Sequence, residues 1–326
     1  MTGMRRFLGA VVAVGLFGAC EPLDDDGGGG FTGDVLFDKG FAFVREDDRN
    51  VYVVDDDGDP NSPEKLTDIG NVYWPAVSRG VGRSVVFVQR TGTSTSLMTV
   101  PTSGGTEATL LRSNDPVCTR GCNNFRTPVF SPDGNSVVFV FTPSNSSVTS
   151  LGRINTDGSN FRELTPNTTV SYGAPSFLPD GSAVLAPTGS SLSSLDRIAR
   201  VPTTGGSPTF VSSLGSEVAQ VANRVAVSPD GTQVAFDARL SSGGLRVFVA
   251  PLSATGVGAP RRLTNYTGTG VQETWPSWTS ASQLGFLFVD SSGGNPGIYR
   301  ATVGATPSNS VTIAVPSAAE PSYGPI

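Results

Sequence analysis

One motif repeats along this sequence at nearly constant spacing, and the repeat restricts the folds that the chain can adopt. The motif runs from an apolar segment through a turn such as Ser-Pro-Asp-Gly into a second apolar segment, as in residues 128–139. Its six copies start at Pro75, Pro128, Pro175, Val225, Pro276 and Pro321. Successive starts are separated by 53, 47, 50, 51 and 45 residues. Such a period is typical of folds built from one supersecondary unit per repeat.

Each repeat predicts four short strands. In the turn, proline presets φ at one position and glycine supplies the positive φ that another position requires. We therefore interpret three Asp-Gly pairs as structural turns: Asp133 and Gly134, Asp180 and Gly181, Asp230 and Gly231. The strand after the turn is continuously apolar, as in residues 137–140, because both of its faces are covered. A third strand and a short polar fourth strand follow, for example at residues 246–249 and 261–264.

Six four-stranded antiparallel sheets arranged radially form a six-bladed β-propeller, and we predict this all-β fold for residues 34–326. The first pair of third and fourth strands lies within residues 50–68, but no clear repeat start precedes it. Either residues 35–37 supply the missing strand, or residues 321–323 return and close the ring. We favour the second, because the chain stops where a new first strand would end.

The amino-terminal residues predict export and lipid anchoring. In residues 1–19 two arginines precede an apolar run, the pattern of a secretory signal peptide that is too short to span a bilayer. Gly18 and Ala19 precede Cys20, which resembles the lipobox of bacterial lipoproteins. The resemblance implies that Cys20 is lipid-modified and becomes the first mature residue; an ordinary cleaved signal is the alternative. Residues 20–33 are rich in Asp and Gly and predict a flexible linker.

The expected attachment to the membrane is through the lipid alone. Glu21 follows Cys20, whereas enterobacterial lipoproteins that stay at the inner membrane have aspartate there, so the resemblance implies the outer membrane. Both the periplasmic and the surface-exposed side remain open. The net charge is -6 and no run of basic residues occurs, which argues against nucleic acid as a partner.

The chain has no histidine, which excludes Ser-His-Asp and Cys-His catalytic groups and His-ligated zinc. We expect no cofactor. Asp55, Asp57 and Asp59 are a weak calcium candidate, because carboxylates at alternate positions occur in calcium loops. Cys118 and Cys122 are a disulfide candidate in an oxidising compartment, with free or metal-bound thiols as the alternative.

Three tryptophans flank repeat starts: Trp74, Trp275 and Trp278. They are candidates either to line a binding mouth or to pack between blades, and packing is the more common role of such residues. Ligands of propellers usually sit at the central channel, which the first strands line. The loop of Cys118 and Cys122 precedes one first strand and is expected to shape its rim.

The pattern Pro-x-aromatic-Ser-Pro-Asp-Gly-x-x-Val-x-Phe resembles the TolB-like propeller repeat, and the resemblance extends over about residues 38–326. The motif is specific for the architecture and says little about function. Because the sequence has no histidine and no nucleophile motif, we expect a noncatalytic, monomeric interaction module that binds an envelope protein or a peptidoglycan-associated component. The alternative is a propeller enzyme, lactonase-like or lyase-like, that uses a metal held by channel carboxylates. The repeat starts offer no carboxylates at equivalent positions, so binding is favoured over catalysis.

Overall fold

The computed structural model describes residues 37–78, 83–166, 169–210, 214–267, 270–291 and 296–326. All regular structure in these ranges is β, in 26 strands. No helix in the described part of the chain has the length and hydrophobicity needed to cross a membrane. The predicted signal peptide, Cys20, the whole linker and residues 34–36 lie outside the described residues.

Four separate sheets have four strands each, and each sheet is one blade of the propeller. In blades 2, 3 and 6 the strands follow one another in chain order from the channel outward. Blade 1 contains β1 (Gly40–Val44), β2 (Val51–Asp55) and β3 (Glu64–Lys65). Blade 2 contains β4 (Val72–Val77), β5 (Ser84–Thr91), β6 (Ser94–Pro101) and β7 (Ala108–Arg112). Blade 3 contains β8 (Asn123–Phe130), β9 (Ser136–Thr142), β10 (Ser150–Asn155) and β11 (Arg162–Glu163).

A ten-stranded sheet contains two further blades. Blade 4 contains β12 (Ser171–Tyr172), β13 (Ser176–Phe177), β14 (Ala183–Ser191), β15 (Ser194–Pro202) and β16 (Thr209–Phe210). Blade 5 contains β17 (Val218–Val227), β18 (Gln233–Leu240), β19 (Leu245–Ser253), β20 (Gly256–Val257) and β21 (Arg261–Arg262). The two blades are joined by one pairing, Leu195 with Val221, so we count them separately. Blade 6 contains β22 (Val271–Ser280), β23 (Gln283–Asp290), β24 (Gly297–Thr302) and β25 (Thr312–Pro316).

The carboxyl-terminal strand closes the ring. Strand β26 (Ala319–Gly324) pairs antiparallel with β1 and is the innermost strand of blade 1, with Tyr323 opposite Phe41. These two rings pack edge to face with centroids 5.0 Å apart. The predicted closure by residues 321–323 is therefore confirmed. Phe37, the one described residue of the alternative segment, is buried but belongs to no strand.

The core is divided among the interfaces between blades. Six hydrophobic clusters occur, one for each pair of neighbouring blades, and they confirm the six-bladed arrangement. Phe41 of blade 1 packs so closely on Gly285 of blade 6 that a Cβ there would lie 2.5 Å from the phenyl ring. Each sheet thus buries both faces, as the continuous apolar runs predict.

Serine side chains also join innermost strands around the channel. The Oγ of Ser322 accepts the Val77 backbone N–H at 3.1 Å, and the Oγ of Ser277 accepts that of Tyr323 at 2.9 Å. Both serines follow the proline of a repeat start. The interfaces on either side of blade 1 therefore have a polar link in addition to apolar packing.

The three Asp-Gly pairs lie in turns. Each glycine has a positive φ, 72° at Gly134, 69° at Gly181 and 71° at Gly231. The Asp133 carboxylate accepts the Asn135 backbone N–H at 3.1 Å and the Ser131 hydroxyl, and these hydrogen bonds lower its pKa. The aspartate thus satisfies the backbone of its own turn.

Removal of residues 319–326 is expected to destabilise the whole ring, because it exposes β1 and opens two apolar interfaces. We expect the melting temperature to fall by about 10 °C or more, since a lost strand costs several kcal/mol. Thermal unfolding followed by circular dichroism measures this. The control Ser322→Ala removes one hydrogen bond and should lower the melting temperature by no more than about 4 °C. An unchanged melt of the shortened chain would show that β26 does not hold the ring.

Candidate functional site in the central channel

A ring of six residues narrows the central channel. Each member is the residue directly before a repeat start on an innermost strand, and together with adjoining prolines they enclose a space of only 10 Å³. The members are Trp74, Thr127, Ala174, Arg224, Trp275 and Glu320. We call them the channel ring. A space of this size holds about one water molecule.

Four members of the channel ring have a strained backbone. Trp74, Thr127, Trp275 and Glu320 have φ of 54°, 45°, 56° and 54°. Positive φ is costly for residues with a Cβ, and most of all for a β-branched residue such as threonine. The pairing register shifts around all four of them, which shows a β-bulge at each. Bulges and strain of this kind are concentrated next to functional sites in proteins.

Buried carboxylates of preceding blades hold both tryptophan amides. The Glu320 carboxylate accepts the Trp74 backbone N–H at 2.6 Å, and the Asp237 carboxylate accepts that of Trp275 at 2.9 Å. Asp237 is fully buried and also accepts the backbone N–H of Asn223 at 2.8 Å and of Arg224 at 2.9 Å. The two acids therefore stabilise the bulges that shape the channel.

Charges inside the channel are partly balanced. Glu320 forms an ion pair with Arg49, with a nitrogen–oxygen distance of 3.2 Å. Burial raises the pKa of Glu320, while the Trp74 amide and Arg49 act in the opposite direction. Burial lowers the pKa of Arg224 to about 10, opposed by the charges of Asp237 and Glu320. Arg224 also donates to the Pro321 carbonyl at 3.0 Å, and it remains a cation at neutral pH.

A cavity of 250 Å³ opens on one side of the channel ring. We call it the mouth cavity. Its apolar walls are formed by residues of blades 2 to 6: Trp74, Val140, Gly173, Ala174, Leu192, Leu195, Ala222 and Trp275. Its polar residues are Arg126, Thr127 and Asn223. On the other side of the ring lies a smaller cavity of 60 Å³, which Ile326 helps to line. An apolar concave surface with a few polar groups is the usual form of a binding site.

Arginines pack on the aromatic rings beside the mouth cavity. The Arg90 guanidinium lies 4.8 Å from the Trp74 ring centroid and 4.4 Å from that of Tyr73. Arg126 lies 5.7 Å from Trp74. Such cation–π contacts fix the rings and leave the charges near the cavity.

The three tryptophans have different roles. Trp74 and Trp275 line the mouth cavity, as the binding interpretation requires. Trp278 is buried between blades 5 and 6, where its indole N–H donates to the Ala226 carbonyl at 2.8 Å. Sequence analysis did not find Glu320, Asp237 or Arg126. Glu320 could have been recognised because it stands directly before a repeat start. Asp237 could have been recognised as an acidic residue within the apolar run of β18.

The remaining candidate residues lie away from the mouth cavity. Cys118 and Cys122 form a disulfide in the loop between β7 and β8, with Cα atoms 5.8 Å apart. Asp55, Asp57 and Asp59 do not come together as metal ligands: within the described residues no group of three His, Cys, Asp or Glu could hold a metal ion. The Asp55 carboxylate instead accepts backbone N–H groups of residues 38 and 39.

The model of the lipoprotein LpqB beta-propeller domain matches residues 113–320. The chain belongs to this family. The match includes the innermost strands of blades 3 to 6 and ends at Glu320 of the channel ring. No curated protein sequence matches this family member.

Solved structures show the same fold. TolB from Acinetobacter baumannii is 17% identical with a TM-score of 0.66, over 89% of this chain and 67% of that one. Putative TolB from Agrobacterium tumefaciens is 13% identical with a TM-score of 0.57, over 84% and 87%. Oligogalacturonate lyase from Vibrio parahaemolyticus is 15% identical with a TM-score of 0.53, over 83% and 80%. The chain is therefore a TolB-like propeller, and an oligogalacturonate lyase has the same fold.

Asp237→Ala is expected to destabilise the propeller strongly, because it leaves three half-buried backbone N–H groups without an acceptor. We expect a loss of about 3–5 kcal/mol in the free energy of unfolding, measured by urea titration. Asp230→Ala is the matched control, since it removes an exposed turn carboxylate, and it should cost about 1 kcal/mol or less. Equal losses in the two variants would contradict the role assigned to Asp237.

Proposed function

We propose that this protein is a noncatalytic binding module of the bacterial envelope, which presents the mouth cavity to a protein or a cell-wall component. The observation that carries the proposal is the mouth cavity itself. It is open, it is walled by Trp74 and Trp275, and strained backbone next to buried carboxylates holds it in shape. Aromatic side chains in a fixed position provide much of the binding energy at protein interfaces.

The chemistry of the channel supports binding over catalysis. The carboxylates near the channel, Glu320 and Asp237, already accept backbone hydrogen bonds, and Glu320 is paired with Arg49. A lyase-like or lactonase-like activity would need several acids free to hold a metal, and the described residues provide no such group. The similarity to oligogalacturonate lyase is a similarity of fold, and it is not evidence for lyase activity in this chain.

The proposed location is the envelope, with a lipid tether at Cys20. Membership of a lipoprotein propeller family and the lipobox-like residues before Cys20 support it. Residues 1–19 would be the signal peptide, residues 20–33 the spacer, and residues 34–326 the propeller. Two or more acyl chains give stable attachment without a membrane-spanning segment. Glu21 after the cysteine favours the outer membrane.

Cys20→Ser is expected to abolish lipid labelling and to release the protein from the membrane fraction. Growth with a labelled fatty acid, followed by fractionation, measures both effects. The propeller should keep its melting temperature, because the spacer separates Cys20 from the ring. Continued labelling of the variant would contradict the anchor.

Capture of partners from cross-linked cell envelopes tests the binding role. Ala222→Trp fills the mouth cavity from its wall and should lower recovery of a stoichiometric partner at least about tenfold. Ala314→Trp places the same side chain on the half-buried outer strand of blade 6 and is the matched control. If wild type captures no stoichiometric partner, or if Ala222→Trp captures it fully, the mouth cavity is not the binding site.

A further inference from the structure

Two buried polar atoms, which belong to residues that line the mouth cavity, have no hydrogen-bond partner among the described residues. The Nε of Arg126 and the Oγ1 of Thr127 are both buried without a hydrogen bond. They belong to consecutive residues of β8, and both residues line the mouth cavity. Buried polar groups in folded proteins are nearly always paired, so each exception points to a strained site or to a missing partner.

Arg126 also lacks an acid to balance its charge. Burial and the neighbouring charge of Arg90 both lower its pKa. The channel's other arginines are balanced by acids, Arg49 by the ion pair with Glu320 and Arg224 by the nearby charges of Asp237 and Glu320. The side of the mouth cavity formed by blades 2 and 3 is therefore positive, on a chain whose net charge is -6.

The surrounding structure fixes Arg126 in place. Phe125, the preceding residue, is fully buried, and its backbone N–H donates to the Thr95 hydroxyl at 3.0 Å. Thr127, the following residue, has a φ of 45°. The strand cannot easily rotate to turn Arg126 and Thr127 toward other acceptors. The strand that carries the Arg126 guanidinium therefore needs little rearrangement when the side chain binds an anion.

We propose that the mouth cavity binds a carboxylate on a protein segment, with the Arg126 guanidinium as the donor and Trp74 and Trp275 packed against the adjoining apolar part. This inference rests on the proposed function. Arginine forms short, charge-assisted hydrogen bonds with carboxylates. A volume of 250 Å³ admits an acidic side chain or a chain terminus with its neighbouring residue, but no folded element.

Three short peptides test the carboxylate and its source: acetyl-Leu-Glu-Leu-amide, acetyl-Leu-Gln-Leu-amide, and acetyl-Leu-Leu-Leu with a free carboxyl terminus. Binding to the purified protein is measured by tryptophan fluorescence at low salt, because two of its three tryptophans line the mouth cavity. We expect at least one carboxylate peptide to bind about tenfold more tightly than the glutamine peptide. The glutamate peptide identifies a side chain as the source, and the third peptide identifies a chain terminus.

Variants at Arg126 separate recognition from folding. Arg126→Gln should lose the preference for carboxylate, and Arg126→Lys should keep part of it. Arg112→Gln, which removes an exposed arginine from the outer strand of blade 2, should change nothing. We expect the melting temperature of Arg126→Gln to stay the same or rise, because the change removes an unpaired buried charge. Equal binding of all three peptides by wild type, or an unchanged preference in Arg126→Gln, overturns the proposal.

Envelope capture distinguishes the failure of this inference from that of the proposed function. If wild type and Arg126→Gln capture the same partner equally while Ala222→Trp captures none, the mouth cavity is the binding site and carboxylate recognition is wrong. If wild type and Ala222→Trp do not differ, the proposed function itself fails. Loss of the partner in both variants, together with carboxylate preference in the peptides, supports both.

Discussion

Closure of the ring by β26 is the constraint on which the remaining structure depends. Every blade buries both faces against its neighbours, so an open ring would expose two apolar surfaces at once. The pairing of β26 with β1 covers both, and it joins residues that are 275 to 284 positions apart in the sequence. Contacts this distant in sequence form late in folding, because a long loop must be ordered first. The same strand places Glu320 in the channel, where its carboxylate accepts the Trp74 backbone N–H, so closure of the ring also fixes one wall of the mouth cavity.

Much of the fold could be predicted from the sequence because the features that specify the strands and turns are local. Pro-Asp-Gly turns and continuous apolar runs depend on a few neighbouring residues, and they placed the core strands of the blades correctly. The period of the repeat gave the number of blades. Closure of the ring had two solutions, since either residues 35–37 or residues 321–323 could supply the missing strand. The pairing of β26 with β1 decides between the two segments, and the conformational preferences of neighbouring residues do not reveal a pairing over this distance.

The candidate site was less predictable because it depends on contacts between blades. Nothing in the sequence indicates that Trp74 and Trp275 take a positive φ, since that conformation is unfavourable for them and is held by carboxylates of other blades. Trp278 stands three residues after Trp275 and packs in the core. Asp55, Asp57 and Asp59 were interpreted as a weak calcium candidate, but the carboxylates of Asp55 and Asp59 accept hydrogen bonds from nearby backbone N–H groups. Arg126 follows no motif, and only its lack of a partner in three dimensions identifies it.

The narrowness of the channel ring has a consequence for how partners can use the propeller. With 10 Å³ of free space between the two cavities, the channel is not a passage but two blind pockets set back to back. A segment that enters one pocket must leave by the same opening, and a second molecule on the opposite face neither meets it nor displaces it. The two faces can therefore be occupied independently, and a ring of this kind can bridge two molecules that never touch each other.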